Sequence, residues 1–105
     1  KRLIDKTTQL SKLTEAIAHR YRLAILYFLS HDPRETWEIA DTLAIKEPLV
    51  IHHIQQMVIA GWVKRIRTGR RVTYTLKKEA AIDLFKFLGQ TPFFRNIFPK
   101  ASKKS

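Results

Sequence analysis

The sequence predicts a mainly α-helical fold with one small β-hairpin. Apolar residues recur at helical spacing in about five segments, and two short runs rich in β-branched residues flank a turn that contains glycine. Positive charge is concentrated in that hairpin. The chain has 105 residues, of which 45% are hydrophobic, and this fits one compact domain with one core.

The charge balance indicates the class of partner. Twenty Lys and Arg side chains oppose nine Asp and Glu side chains, which gives a formal charge of +11. Such a charge favours a polyanion as the binding partner, and nucleic acid is the first candidate. The sequence contains no cysteine, so disulfides, thiolate metal sites and thiol redox sensing are excluded.

Membrane proteins and enzymes are disfavoured. No apolar run reaches the length of about 18 residues that a membrane span requires, and the chain does not open on a signal-peptide pattern. We therefore expect a cytoplasmic protein without membrane contact. The carboxylates are scattered among cations and no nucleophile accompanies a base, so we expect neither catalysis nor a cofactor.

Two helices are predicted at the start of the chain. An apolar stripe of the kind that packs on a partner runs along residues 3–17. It consists of Leu3, Leu10, Leu13 and Ile17. Residues 22–29 are apolar on nearly all sides, so we expect a buried central helix. Pro33 disfavours helix at the residue before it, and residues 30–35 are predicted to form a turn.

A third and a fourth helix follow the turn. Thr36 is predicted to cap the short third helix. The fourth helix spans about residues 48–60, has Pro48 in its first turn and ends at Gly61, which suits a left-handed cap. On a helical wheel its inward residues are Val50, Ile54 and Met57, with His53 at their flank. The outward residues are Ile51, His52, Gln55, Gln56 and Ile59.

The remainder of the chain is predicted to form the hairpin, one more helix and a tail. Residues 63–66 and 72–76 are the predicted strands, joined through a turn that contains Gly69. The last helix covers residues 78–88 and carries an apolar face. We expect residues 1–92 to form the domain, with dimerisation helices at both ends, and residues 93–105 to form a partly flexible C-terminal extension.

This order of elements is that of a winged helix-turn-helix, in which one helix enters the major groove of DNA and the hairpin flanks it. Four stretches also closely resemble the ArsR/SmtB family of bacterial and archaeal repressors, over about residues 15–88. They are "EAIAHRYRLAILYFL" (15–29), "EIADTLAI" (38–45), "VIHHIQQMVIAGWV" (50–63) and "RIRTGRRVTYTL" (65–76).

The resemblance implies a homodimer through the first and last helices, operator binding by the fourth helix and the wing, and control by a small effector whose identity is unknown. Metal-sensing members of the family carry carboxylates and histidines on the last helix, or thiols near the third. Neither set is present here, where Asp83 stands alone on the last helix. We therefore predict a sequence-specific, dimeric repressor that lacks metal or thiol sensing.

The fourth helix and the hairpin contain the candidate contacts with double-stranded DNA. Lys46 is expected to anchor a phosphate, and Thr68 is a further candidate contact at the hairpin turn. Phosphate or minor-groove contact is expected of the wing cations, which are Lys64, Arg65, Arg67, Arg70 and Arg71. Base edges are the expected partners of Ile51, His52, Gln55 and Gln56. Two rival functions remain: a protein-interaction module that docks through Ile51, Val58 and Ile59, and a nucleic-acid binder that acts through charge alone.

The apolar stripes of the end helices exceed what one small domain covers, and this predicts a dimer interface. Its candidate residues are Leu3, Leu10, Leu13, Ile17, Leu84, Phe85 and Leu88.

The adjacent histidines of the fourth helix raise the question of a metal site. Neither His52 nor His53 has a further ligand three or four positions away, so we expect no metal binding there. His52 is interpreted as an exposed polar contact near DNA, with plain solvation as the alternative. His53 is interpreted as a hydrogen-bonded residue at the edge of the core.

Overall fold

Six helices and one hairpin occur in the computed structural model, which describes residues 2–97. In chain order they are α1 (Arg2–Ile17), α2 (Arg20–Leu29), α3 (Thr36–Leu43), α4 (Glu47–Ala60), β1 (Val63–Thr68), β2 (Arg71–Leu76), α5 (Lys78–Gly89) and α6 (Pro92–Ile97). The predicted mainly α fold with one small hairpin is confirmed. Within these residues no helix is both long and apolar enough to cross a membrane.

Helix α4 lies at the centre of the core. Its Val50, Ile54 and Met57 side chains are fully buried, and they share one cluster with Ile25 of α2 and Ile39 of α3. Full burial of a side chain of this size stabilises the fold by about 1.5–3 kcal/mol. The inward face of α4 is therefore fixed by the core, and its opposite face is held toward solvent.

The start of α3 differs from the prediction. Glu35, not Thr36, is the N-cap, and its backbone N–H donates to Oε1 of Glu38 at 2.8 Å in a reciprocal capping box. Glu38 stands three residues after Glu35, which is the spacing that such a box requires. The Thr36 hydroxyl donates instead to Oε2 of Glu47 at 2.6 Å and thereby ties the start of α3 to the start of α4.

Helix α2 is not buried on all sides, so that prediction is wrong. Leu23 and Tyr27 are 52% and 72% exposed, because only one face of α2 meets the core. The helix also begins earlier than predicted. Nδ1 of His19 accepts a hydrogen bond from the Tyr21 backbone N–H at 3.0 Å and caps the first turn.

The hairpin is longer than predicted. Its antiparallel register runs from the pair Val63 and Leu76 to the pair Thr68 and Arg71, which leaves a turn of two residues instead of the five between the predicted strands. Gly69 has a φ of 66°, a left-handed conformation that glycine adopts without steric cost. Arg34 pairs with Tyr74 beyond the hairpin, with backbone N···O distances of 3.1 and 2.8 Å, and so anchors β2 to the turn before α3.

A short joint connects α4 to the hairpin of β1 and β2, which is called the wing below. Gly61 ends α4 with a φ of 95°, as predicted for a left-handed cap. Trp62 follows and is buried, and its Nε1 donates to the backbone carbonyl of Leu13 at 2.7 Å. The base of the wing is thus attached to α1, which sets the angle between the wing and α4.

The predicted C-terminal extension contains a helix. α6 (Pro92–Ile97) begins at the last residue of the predicted domain and continues into the extension, for which the sequence predicts a tail without a helix. Residues 98–105, for which flexibility was predicted, lie outside the described residues.

Candidate nucleic-acid interface

The solvent-facing side of α4 carries the residues that the helical wheel predicted. Ile51 is 38% exposed and Ile59 is 78% exposed, and the polar side chains between them are exposed as well. Those polar residues are His52, Gln55 and Gln56. Since the opposite face is locked into the core, this surface is presented rigidly.

A cation stands at the start of α4. Lys46 is exposed and occupies the N-cap position with an extended backbone. Backbone N–H groups and the positive end of the helix dipole lie at the same end, so the local field favours an anion.

The candidate DNA-contact residues of β1 lie on both faces of the wing. Alternation along β1 places Val63, Arg65 and Arg67 on one face, and Lys64 and Thr68 on the other. Arg65 and Tyr74 line an open groove of about 320 Å³ together with Gln55 and Ile59 of α4. Arg65 is therefore brought directly beside the outer face of α4.

The wing tip has charge without an acidic partner. Nε of Arg67 donates to the Gly69 carbonyl at 3.0 Å, and Arg70 is exposed in the turn. The ion pairs found within residues 2–97 do not include Lys64, Arg65, Arg67 or Arg70. These four cations remain available to an external anion.

Arg71 differs from the other wing cations. Its Nε lies 2.6 Å from Oε2 of Glu35, and Oε1 of Glu35 accepts from Nε1 of Trp37 at 3.1 Å. Trp37 itself is 55% exposed. Glu35 thus attaches β2 to the start of α3 and partly neutralises Arg71. Sequence reasoning missed this pair, since the two residues stand 36 positions apart.

The two adjacent histidines occupy different environments. His52 is exposed, whereas His53 is 5% exposed and its Nδ1 accepts from Nε of Arg22 at 2.9 Å. Burial is the main cause that lowers the pKa of His53, and the charges of His19, Arg22 and His52 lower this pKa further. In the part of the chain that the structure describes, no three His, Cys, Asp or Glu side chains are grouped so as to hold a metal ion.

The predicted dimer residues fall into three groups. Leu3 and Phe85 are 63% and 66% exposed, while Leu10 and Leu84 are buried in the core of the single chain. The remaining residues are half-buried against that core: Leu13, Ile17 and Leu88. The amphipathic stripes of α1 and α5 are therefore largely covered within the single chain, where Leu10 and Leu84 belong to the core, and their part in a dimer interface stays a prediction.

An apolar groove between α2 and α5 continues the exposed surface around Phe85. It measures about 700 Å³, and Leu23 and Tyr27 of α2 contribute to its walls. Trp62 and Leu84 also line it. Sequence reasoning missed the part that α2 contributes, because we assigned all of α2 to the core.

The chain is similar to a known protein family and to curated transcriptional regulators. Residues 20–65 match the family described as bacterial regulatory protein, arsR family. The chain is 37% identical over 65 residues to the HTH-type transcriptional repressor SmtB of Mycobacterium tuberculosis, a match that covers 62% of this chain and 48% of the repressor. The chain thus spans about half of the length of that relative.

Solved structures share the fold. An ArsR-like transcriptional regulator from Rhodococcus sp. RHA1 superimposes with a TM-score of 0.79 at 17% identity, over 96% of this chain and 93% of that chain. The homodimeric winged helix-turn-helix DNA-binding domain of a possible ArsR-family regulator from Mycobacterium bovis gives a TM-score of 0.70 at 23% identity, over 93% of this chain and 90% of that chain. At these identities the two structures establish the architecture alone.

Proposed function

Because this chain is an ArsR/SmtB-like winged helix-turn-helix protein, we propose that it is a dimeric DNA-binding transcriptional repressor that senses neither metals nor thiols. One observation carries the proposal. The exposed side of α4 lies beside a wing in which four of the five cations have no carboxylate partner within residues 2–97. Helix-in-groove binding with a flanking cationic wing requires this juxtaposition.

The contacts divide by chemistry into positioning and reading. Lys46 and the cations of the wing neutralise phosphates, and Thr68 adds a hydroxyl donor at the turn. His52, Gln55 and Gln56 reach base edges, and glutamine suits adenine. Ile51 meets thymine methyl groups. The preferred site is therefore A·T-rich and, for a two-fold dimer, pseudo-palindromic.

Dimerisation uses the apolar surface that one protomer leaves uncovered. Leu3 and Phe85 supply the exposed positions of the end helices, and the groove between α2 and α5 extends that surface through Leu23 and Tyr27. Exposed apolar surface of this kind marks interfaces. The homodimeric state of the related Mycobacterium bovis domain supports this part of the proposal.

A binding assay resolved by salt concentration tests the function. The probes are a duplex from upstream of the protein's own gene, a random duplex of equal length, and double-stranded RNA. We expect the first to bind most tightly at every salt concentration. Equal binding of all three probes would instead show that the protein binds nucleic acid through charge alone.

Replacement of Gln55 should relax sequence preference without abolishing binding. Gln55 lies beside Arg65 of the wing, where it reaches a base edge while the phosphate anchors stay in place. We expect Gln55→Ala to lose about 1–3 kcal/mol of discrimination at one base pair. Selection from randomised duplexes, performed with both proteins, measures this.

Glu79→Ala is the matched control for this substitution, since Glu79 is an exposed polar residue on α5. An unchanged half-site in the Gln55 variant would show that this residue does not read DNA.

Zinc, nickel and arsenite should not bind specifically. Metal sites need three or four grouped ligands, and the described chain offers no such group. We expect a flat calorimetric titration. Stoichiometric uptake tighter than about 1 μM, lost on replacement of His52 or His53, would contradict the prediction.

A second function is favoured by one observation, namely the apolar character of α4's outer face. Ile51, Val58 and Ile59 are exposed there by 38%, 37% and 78%. These residues would suit a protein partner. The double substitution Ile51→Asp and Ile59→Asp separates the two functions: loss of DNA affinity supports repression, whereas intact DNA affinity together with loss of a protein complex supports docking.

A further inference from the structure

Arg22 joins three helices at one point. Its Nε donates to Nδ1 of His53 at 2.9 Å, and its Nη1 donates to the Ala16 carbonyl at 3.3 Å. Arg22 belongs to α2, Ala16 to the last turn of α1, and His53 to the inward side of α4. A single guanidinium thus connects the first helix to the helix that is proposed to read DNA.

The geometry fixes the protonation state of His53. A guanidinium only donates hydrogen bonds, so Nδ1 of His53 must be unprotonated to accept one. The imidazole is then neutral and carries its hydrogen on Nε2. A protonated His53 would present an N–H at Nδ1 toward the N–H of Arg22, and the hydrogen bond would become a contact between two donors and two positive charges.

The surroundings disfavour the charged form. The His53 ring is buried, and its centroid lies 4.6 Å from that of His19 and 5.3 Å from that of His52. Tyr21 is the remaining ring neighbour, at 5.8 Å. On α1, Lys12 and Glu15 share an open groove with Arg22, but no carboxylate of residues 2–97 contributes to the pKa shift of His53. A proton on His53 therefore faces the Arg22 guanidinium, and no carboxylate among the described residues compensates its charge.

We propose that the Arg22–His53 contact is a proton-sensitive latch that positions the recognition helix α4 against α1 and α2, and that its opening in acid weakens sequence-specific DNA binding. The inference rests on the proposed DNA-binding function. In a dimer, α1 is one of the helices proposed to lie near the partner, so a link from α1 to α4 fixes the distance between the two recognition helices. Arg22 and His53 act as positioning residues, because neither needs to touch DNA.

The direction of the pH effect follows from the lowered pKa of His53. Above the ordinary histidine pKa of about 6.5, the ring is neutral in both the folded and unfolded states, and the latch contributes fully. As the pH falls below that value, the unfolded chain binds a proton before the folded chain does. Stability and specific binding are therefore lost as the pH falls from about 6.5 through the lowered pKa of the folded state.

The test compares DNA affinity at pH 8 and pH 5, at constant salt, for the full chain and its variants. The readout is the ratio of affinities for the selected site and for a random duplex, since added positive charge raises both affinities alike. For the unmodified protein we expect this ratio to be at least roughly fivefold lower at pH 5 than at pH 8. A fivefold change in affinity is the lower end of the coupling usually found between two sites in a protein.

Three variants isolate the latch. His53→Asn retains an acceptor near the position of Nδ1 but does not titrate, so the ratio should become independent of pH. Arg22→Gln removes the cation and should show the low ratio already at pH 8. His31→Asn is the control, because the His31 side chain is exposed and lies against Tyr27 of its own segment, away from Arg22 and His53, and it should retain the acid response.

The proposal is overturned if His53→Asn responds to acid as the unmodified protein does, or if Arg22→Gln retains the full ratio at pH 8. Urea unfolding of each variant at both pH values identifies any that fail to fold. A chain that binds no duplex selectively at any pH would refute the proposed function and with it the positioning role. The proton sensitivity of the latch would then be judged from unfolding alone, and it fails if His53→Asn loses as much stability in acid as the unmodified protein.

Discussion

The affinity of the protein for duplex DNA should fall about 10³–10⁵-fold between 50 and 200 mM salt, as expected for roughly six to ten phosphate contacts. Lys46 and the four unpaired wing cations provide up to five such contacts on each chain of a dimer. Each neutralised phosphate releases condensed counterions, and added salt opposes that release. Fluorescence anisotropy with a labelled duplex measures the slope.

The two cations near the wing tip that have no carboxylate partner within residues 2–97 should account for a large part of that slope. Replacement of Arg67 and Arg70 by alanine removes up to four contacts from a dimer, and the slope of log affinity against log salt should flatten by roughly three to four units. Lys6→Ala with Arg95→Ala is the matched control, since it removes two exposed cations outside α4 and the wing. Arg71→Ala should have a smaller effect, because Glu35 already partly neutralises Arg71.

An affinity that does not change with salt would contradict this prediction and favour the protein-docking function. Equal flattening by the control pair would show that overall charge, not the wing, governs binding.

The double substitution Leu23→Asp with Phe85→Asp should separate the proposed dimer into monomers. Both side chains are more than half exposed in the single chain, so charge there is tolerated by the protomer but not by an apolar interface. Loss of the second recognition helix should lower DNA affinity by about 10²–10⁴-fold, because two linked binding modules exceed one by that factor. Sedimentation at micromolar concentration gives the oligomeric state, and anisotropy gives the affinity.

Ile59→Asp is the control for the dimer test, since Ile59 is 78% exposed but lies on α4, outside the proposed interface. The control should remain a dimer. A double variant that also remains dimeric would place the interface elsewhere. Leu10 and Leu84 are unsuitable for this purpose, because a carboxylate in the core would unfold the chain.

Local patterns accounted for most of the fold. The spacing of Val50, Ile54 and Met57 correctly predicted the inward face of α4, and Gly61 correctly marked its end, because both features depend on residues close in sequence. The pattern of apolar residues did not predict the exposure of α2. A wholly apolar segment predicts burial, but it does not show that a small domain lacks the neighbours to cover Leu23 and Tyr27.

The sequence predicted which helix and hairpin form the candidate site, but it did not predict which side chains bond to each other there. The basic hairpin and the outward residues of α4 could be assigned from composition and spacing. The partners of Arg71 and of His53 could not, since Glu35 and Arg22 lie 36 and 31 positions away and meet them only through the packing of separate helices. For the same reason the sequence could not show that Leu10 and Leu84 are covered within one chain.

The different surroundings of the two tryptophans provide separate optical reporters. Trp62 is buried at the joint between α4 and the wing, whereas Trp37 is exposed and bonded to the carboxylate that holds Arg71. Indole emission shifts to longer wavelength with contact to water, so Trp37 contributes the red part of the spectrum and Trp62 the blue part. Since the chain has only these two indoles, quenching of the red component follows events near the wing, while loss of the blue component follows unfolding of the core.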